Sequence, residues 1–221
     1  MCNLYSMTRN RDAIRQLFRV DADRTGNQPP LPAIFPDQLA PVVRIGRDGA
    51  RVMETMRWGF PPPPNLGTGP VTNVRNTKSA YWRGWLKPEF RCLVPATAFC
   101  EYTDSQPKIP HWFALDPDRT PFAFAGIWRP WTGTRGTKGA PEDGEHLLFS
   151  FLTTEPNEVV RPVHSKAMPV ILMGAACDVW LEADAAEALK LQQPWPADRL
   201  SVVARGQRQD AGPAPAEGAL L

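Results

Sequence analysis

Twenty-five prolines in 221 residues set the first limit on this chain. Each one fixes its own φ, lacks a backbone N–H, and pushes the preceding residue out of the α region. Spread along the sequence, they disfavour a bundle of long helices and favour short strands joined by shaped loops. Hydrophobic residues make up 43% and charged residues 22%. That is enough apolar material for a packed core, and it excludes global disorder. The longest apolar stretch, residues 167–177, is broken by Pro169 and Gly174 and is too short to span a bilayer. No apolar leader follows Met1, so a cytoplasmic location away from membranes is expected.

Periodicity sharpens this outline. Residues 8–20 read as a helix capped by Thr8, with Ala13, Ile14, Leu17 and Phe18 on one stripe. Residues 42–46 and 51–57 read as strands joined by a turn at Asp48-Gly49. Further strands are expected at 91–95, 111–115, 122–128, 147–153, 169–172 and 200–203. Short helices are expected at 79–86 and, in two pieces, at 175–191, with a helical start at 156–160. Residues 60–70 carry four successive prolines and read as a loop. Residues 132–145, rich in Gly and charge, read as a mobile surface loop. No repeat or composition break divides the chain. The expectation is one α+β domain over residues 1–205, with a curved, barrel-like, mixed or antiparallel β core and a few peripheral helices. A flexible tail is expected at 206–221.

The net charge of +2 excludes a polybasic binder but leaves room for a local basic groove. The four cysteines, Cys2, Cys92, Cys100 and Cys177, form no C-x-x-C pair and no finger spacing with His111, His146 or His164. No metal and no cofactor is expected, and Cys92, Cys100 and Cys177 read as buried thiols. The chain has no G-x-x-x-x-G-K-[ST] loop, no H-E-x-x-H and no G-x-S-x-G. Nucleotide hydrolysis, zinc proteolysis and α/β-hydrolase chemistry therefore lack their usual sequence support.

Cys2 is different in kind. Once an initiator Met is removed, it carries an α-amine and a thiol on adjacent carbons. The amine, with a pKa of roughly 7.7–8.0, is partly neutral near pH 7. The thiol is a strong nucleophile as thiolate. Together they suit an aldehyde: the amine condenses to an imine and the thiol closes a five-membered thiazolidine. The alternative is an incidental residue on a loose terminus.

Other polar residues carry two readings each. Glu101 follows an apolar run, as a solvated strand end or a poised acid/base. His164, flanked by Arg161 and Lys166, is either structural or held neutral and able to accept a proton. Asn73 and Arg75 share one face of an extended segment, which suits phosphate contact or plain solvation. Trp58 can stack on an unpaired base or fill the core. Arg83 and Arg91 add phosphate contacts or merely solubility.

Taken in order, these residues resemble the SOS response-associated peptidase (SRAP) family of abasic-site processing proteins. The likeness runs from Met1-Cys2 through Ile34-Phe-Pro36, Arg57-Trp-Gly-Phe60 and Asn73-Val-Arg75. It continues through Arg91-Cys-Leu-Val-Pro-Ala96, Phe99-Cys-Glu101, Leu152-Thr-Thr154 and Val163-His-Ser-Lys-Ala-Met-Pro169. The chain departs from the family's pattern at Asn3, Thr77, Cys100 and Tyr102. The resemblance implies that Cys2 attacks the aldehyde of an abasic site and stays attached. It implies that Asn73 positions the amine, Glu101 serves as acid/base, and His164 assists sugar-ring opening. It further implies that Arg75 binds phosphate, Thr153 lines the pocket, and Trp58 contacts the separated strand, with Arg91 among the DNA contacts. The implied partner is single-stranded DNA containing abasic sites, met by a monomer. The rival readings are a thiol peptidase using Cys2, His164 and Glu101, and a non-covalent single-strand DNA-binding module.

Overall fold

In the computed structural model, which describes residues 2–63, 67, 69–137 and 139–213, the apolar runs of the sequence become strands. These are β1 (Tyr5–Met7), β2 (Ala22–Asp23), β3 (Leu31–Ile34), β4 (Leu39–Ile45), β5 (Arg51–Trp58), β6 (Asn73–Val74), β7 (Arg91–Ala96), β8 (Ala98–Tyr102), β9 (Pro110–Ala114), β10 (Phe122–Thr137), β11 (Ala140–Thr154), β12 (Met168–Pro169), β13 (Ile171–Leu172) and β14 (Ser201–Arg205). The α-helices among the described residues are α1 (Arg11–Leu17), α2 (Ala80–Arg83), α3 (Ala175–Glu182) and α4 (Ala185–Leu189).

Five strands close on themselves. β10 pairs antiparallel with β7 and β11, β7 pairs with β4, and β4 with β5. β5 then returns to β11 in parallel register, Arg57 opposite Leu148 and Trp58 opposite Phe149. Closure removes the unpaired edges that an open sheet would expose. Trp58 lies stacked on Phe151, with ring centroids 5.2 Å apart. A second sheet, in the order β14–β9–β8–β1–β3, lies against the barrel. Its strand β1 is held between β8 and β3 and sends Tyr5 edge-on against Trp58, Phe124 and Phe151 at 5.1, 5.6 and 6.1 Å. Edge-to-face contacts of this kind suit the ring quadrupoles. This is the single, barrel-like α+β architecture that the pattern of short strands predicts.

Several local readings are corrected. α1 is capped not by Thr8 but by Asn10, whose side chain accepts from Ala13 N at 2.8 Å. Thr8 instead takes Thr97 as its partner through both backbone and hydroxyl. The chain at 158–163 forms turns rather than a helix, because Pro162 has no N–H to continue one. The segment 132–145 is no loose loop. β10 and β11 stay paired from Trp131 opposite His146 out to Thr137 opposite Ala140. The charges that suggested a solvated loop are what anchor this arm. Arg135 Nε donates to Asp37 at 2.8 Å, Gly136 N donates to the same carboxylate at 3.0 Å, and Arg57 pairs with Glu142.

The reading of a frayed end from Gly206 does not hold at Asp210, which is buried. Its carboxylate accepts from Ser6 at 2.8 Å and from the buried guanidinium of Arg119 at 3.0 Å. Residues 214–221 lie outside the described residues. A buried carboxylate needs such a partner, since an unpaired charge in the interior is very costly. Gly59 marks the point where the chain leaves the barrel. Its φ of +120° and a Pro70 carbon 2.5 Å from where a Cβ would sit both require glycine. From there Phe60 and Val71 bridge and lead into β6.

Trp58 is thus a core residue, fully buried. Trp58→Ala is expected to cost about 3–5 kcal/mol of stability in urea unfolding. An exposed base-stacking residue would cost under about 0.5 kcal/mol.

Candidate active site

Cys2 lies just ahead of β1 and is as buried as the core around it. Two features of the strand pairing put it there. Cys100 N donates to Leu4 O at 2.9 Å, extending the β1–β8 ladder, and the Cys2 thiol donates to the same carbonyl at 3.4 Å. On the other side, Asn73 on β6 reaches across with its amide, donating to Cys2 O at 2.8 Å and to Thr72 Oγ1 at 2.7 Å. Thr72 in turn donates to the Asn3 side chain at 3.0 Å and accepts Trp58 Nε1 on its carbonyl at 3.1 Å. Trp58 therefore serves the site from below, by holding the residue before Asn73. The sequence reading of Trp58 as a base-stacking surface is corrected accordingly.

Glu101 projects from β8 and is 3% exposed. Burial pushes its carboxyl up to about 8, against an opposing pull from the positive charge at the chain's amino terminus. It is mostly protonated at neutral pH and can give a proton. His164 is shifted the other way. Burial lowers its pKa, the amino-terminal charge and Lys166 lower it further, and Asp104 opposes them. It is neutral at pH 7 and can take a proton. Burial also raises the Cys2 thiol well above its usual value, with Glu101 adding to the effect and the amino-terminal charge opposing it. A carboxyl whose pKa burial raises and an imidazole whose pKa burial lowers are environments that separate acid from base. All three groups feel the same amino-terminal charge.

The remaining predicted residues divide. Arg75 follows β6 on the surface. Its guanidinium donates to Lys166 O at 3.4 Å, two residues past His164, and lies 3.4 Å from a Glu155 oxygen. Thr153 is fully buried at the end of β11, the strand that pairs with β6 through Phe151–Asn73 and Leu152–Val74. Arg91 does not belong to the site. It is 1% exposed, its guanidinium sits 5.5 Å from the Trp180 ring centroid, and it donates to Ala183 O at the end of α3. A basic residue opening a strand reads as solvent-facing, but α3 covers it. Burial accordingly lowers its pKa. Cys92, Cys100 and Cys177 are buried thiols, as the burial tendency of free cysteine suggests.

Among the described residues, Asn73 Oδ1, Glu101 Oε1 and Thr153 Oγ1 are buried polar atoms without a protein hydrogen-bond partner. Each such atom costs about 1–3 kcal/mol if left unpaired. The same holds for Arg91 Nε and Nη1, away from the site, and for atoms elsewhere in the fold, so each of the three is open to a polar partner without itself marking a ligand site. Sequence reasoning missed Thr72, Asn3 and Glu155 as supports. Only the adjacency of Thr72 to Asn73 could have signalled one of them. Among the described residues no group of three or more His, Cys, Asp or Glu side chains is placed to hold a metal ion.

Comparison with known proteins gives the family and the fold. The model of a family described as SOS response associated peptidase (SRAP) matches residues 1–206. A solved structure of a Bordetella bronchiseptica protein superposes with a TM-score of 0.72 at 23% identity, covering 93% of this chain and 98% of that one. A Bacteroides thetaiotaomicron protein gives 0.69 at 20%, covering 90% of each chain. A phage-related protein of Bordetella bronchiseptica gives 0.67 at 20%, covering 90% and 92%. At these identities the structures establish the shared fold. No curated protein matches.

The buried carboxyl makes a pH prediction. Glu101 has a pKa of about 8 when folded against 4.5 ordinarily, so the folded state binds the extra proton between those values. Its contribution to stability is intact below about pH 4.5 and is lost as pH rises toward 8. The stability of wild type relative to Glu101→Gln should therefore fall by a few kcal/mol from about pH 5 to 8 in denaturant titrations. Parallel curves would mean an ordinary, ionised carboxylate.

Proposed function

The chain belongs to the SOS response associated peptidase (SRAP) family, and from that footing we propose that it captures abasic sites in single-stranded DNA through Cys2. The observation that carries this reading is the placement of Cys2, buried, held through its carbonyl by the Asn73 amide at 2.8 Å and close enough to Glu101 to feel its charge, with that carboxyl pushed up to about 8 by burial. In the proposed reaction Met1 is first removed, so that the nitrogen of Cys2 becomes the terminal amine. Asn73, already bonded to the Cys2 carbonyl at 2.8 Å, holds that residue in place.

His164 takes the proton of the C1′ hydroxyl as the C1′–O4′ bond breaks and returns it to O4′, which becomes a hydroxyl on C4′, leaving the open-chain aldehyde. The Cys2 amine adds to the carbonyl carbon and passes one proton to its oxygen. Glu101 supplies the second proton with which that oxygen leaves as water and takes back the remaining proton of the nitrogen, giving a neutral imine. The Cys2 sulfur then bonds to the imine carbon, and the thiol proton ends on nitrogen. The product is a thiazolidine, which shields the lesion. Halted at the imine, the same adduct can lose the 3′ phosphate by β-elimination, a lyase outcome. Arg75 exchanges its exposed contact with Glu155 for a backbone phosphate, and Thr153 lines the pocket. The protein acts as a monomer in the DNA-damage response, on single strands in the cytoplasm and nucleoid. Among the described residues no helix is long and apolar enough to cross a membrane.

The thiol environment argues against a general peptidase. A thiol protease lowers its cysteine pKa to work as a thiolate, whereas burial and Glu101 raise that of Cys2. Aldehyde capture begins at the amine and adds the thiol afterwards, so it tolerates a protonated sulfur.

Incubation with single-stranded DNA holding one abasic site should give a protein–DNA band on a denaturing gel. Cys2→Ala should abolish it, and so should retention of Met1, verified by intact mass. Cleavage of unrelated peptides with no such band would favour the peptidase, and a shift on native gels alone would favour a plain binder. Arg75→Ala should weaken binding and reduce the slope of log K against log salt by about one. An unchanged slope would remove Arg75 from the phosphate contacts.

A further inference from the structure

Gln192 sits past the end of α4, in a stretch that carries no sequence motif. Its side chain nevertheless makes three hydrogen bonds to two separate parts of the candidate site. Its Nε2 donates to Arg75 O at 3.0 Å and to Thr153 O at 2.9 Å. Its Oε1 accepts from Thr77 Oγ1 at 3.0 Å. Its own carbonyl accepts from Thr154 Oγ1 at 3.4 Å. One amide thus spans the segment that leaves β6 and the last residues of β11. The two strands are paired only as far as Phe151–Asn73 and Leu152–Val74. Beyond that point the ladder stops, and the carbonyls of Arg75 and Thr153 would otherwise diverge.

Arg75, Thr77, Thr154 and Gln192 line an open polar groove with Lys78 and Glu155, while Thr153, the residue before Thr154, is buried. We propose that Gln192 is a positioning residue for strand capture, tying Arg75 on the groove wall to the buried end of β11 at Thr153, so that the guanidinium keeps a set position for phosphate contact. This rests on the reading of single-stranded DNA as the partner. Gln192 touches neither the reacting sugar nor Cys2. It acts through two backbone carbonyls. A glutamine suits the task because a primary amide offers two donors and an acceptor on one rigid plane. A charged side chain of the same length lacks that combination.

The test uses the full chain and an undamaged single-stranded oligonucleotide. Gln192→Met keeps the length, adds no charge, and removes all three side-chain bonds. It is expected to lower the salt slope by about one, as Arg75→Ala does. In the double variant the two effects should not add, because both remove the same phosphate contact. Amide exchange of the free protein should quicken at residues 74–77 and 153–155 and stay unchanged in β4 and β5. Thr77→Val, which leaves both donations to the carbonyls in place, should change the slope much less.

A Gln192→Met protein with lowered thermal stability but a wild-type slope would overturn the proposal, as would full additivity with Arg75→Ala. Wild-type protein that binds no single-stranded DNA would instead defeat the functional reading on which the proposal stands. The two failures are therefore distinguishable.

Discussion

The Asn73 amide bonded to the Cys2 carbonyl at 2.8 Å joins the two sheets of the molecule at the residue the chemistry needs. Behind it stands a chain of contacts that begins in the barrel. Trp58, stacked on Phe149 and Phe151, donates to Thr72 O; Thr72 accepts from Asn73; and Asn73 holds Cys2. From the other sheet, Tyr5 packs on the same aromatic cluster. A terminal residue would ordinarily fray. Here the strand after it is an interior strand, and its register is set by packing on both sides. The position of Cys2 is therefore a property of the core, and side chains that never meet a substrate decide it.

Burial also sets the electrostatics. Removing Glu101 from water raises its pKa toward neutrality, and removing His164 lowers its own. One cause, desolvation, shifts an acid and a base in opposite directions because their charged forms have opposite sign. The site thus obtains a proton donor and a proton acceptor at neutral pH. The same burial raises the Cys2 thiol well above its usual value, which in the proposed capture puts the amine first and the sulfur second.

Much of this was legible in the sequence where a pattern has a direct physical cause. Short apolar runs bounded by Pro and Gly gave strands and Asp48-Gly49 gave the β4–β5 turn, whereas the roles of Cys2, Asn73, Glu101, His164, Arg75 and Thr153 came from the family resemblance and remain part of the proposal. What failed was what depends on distant partners. The Gly-rich and charged segment at 132–145 looks like a solvated loop unless Asp37 and Arg57 are known to meet it. Arg91 looks exposed unless α3 is known to lie across it. Trp58 offered two readings, and only packing chose between them. Asp210 and Gln192 stood in unremarkable stretches, and their value comes from residues distant in the chain, of which Ser6 and Thr77 lie more than a hundred positions away.

The central claim is that nitrogen and sulfur of one residue share one carbon of the sugar. The most direct measurement is tandem mass spectrometry of the peptide–nucleotide adduct, with and without borohydride. A thiazolidine predicts a fragment series placing the adduct on Cys2 at the mass of both reactants less one water, unchanged by borohydride. An adduct on a lysine, or one on Cys2 that takes up two hydrogens from borohydride, would contradict the account.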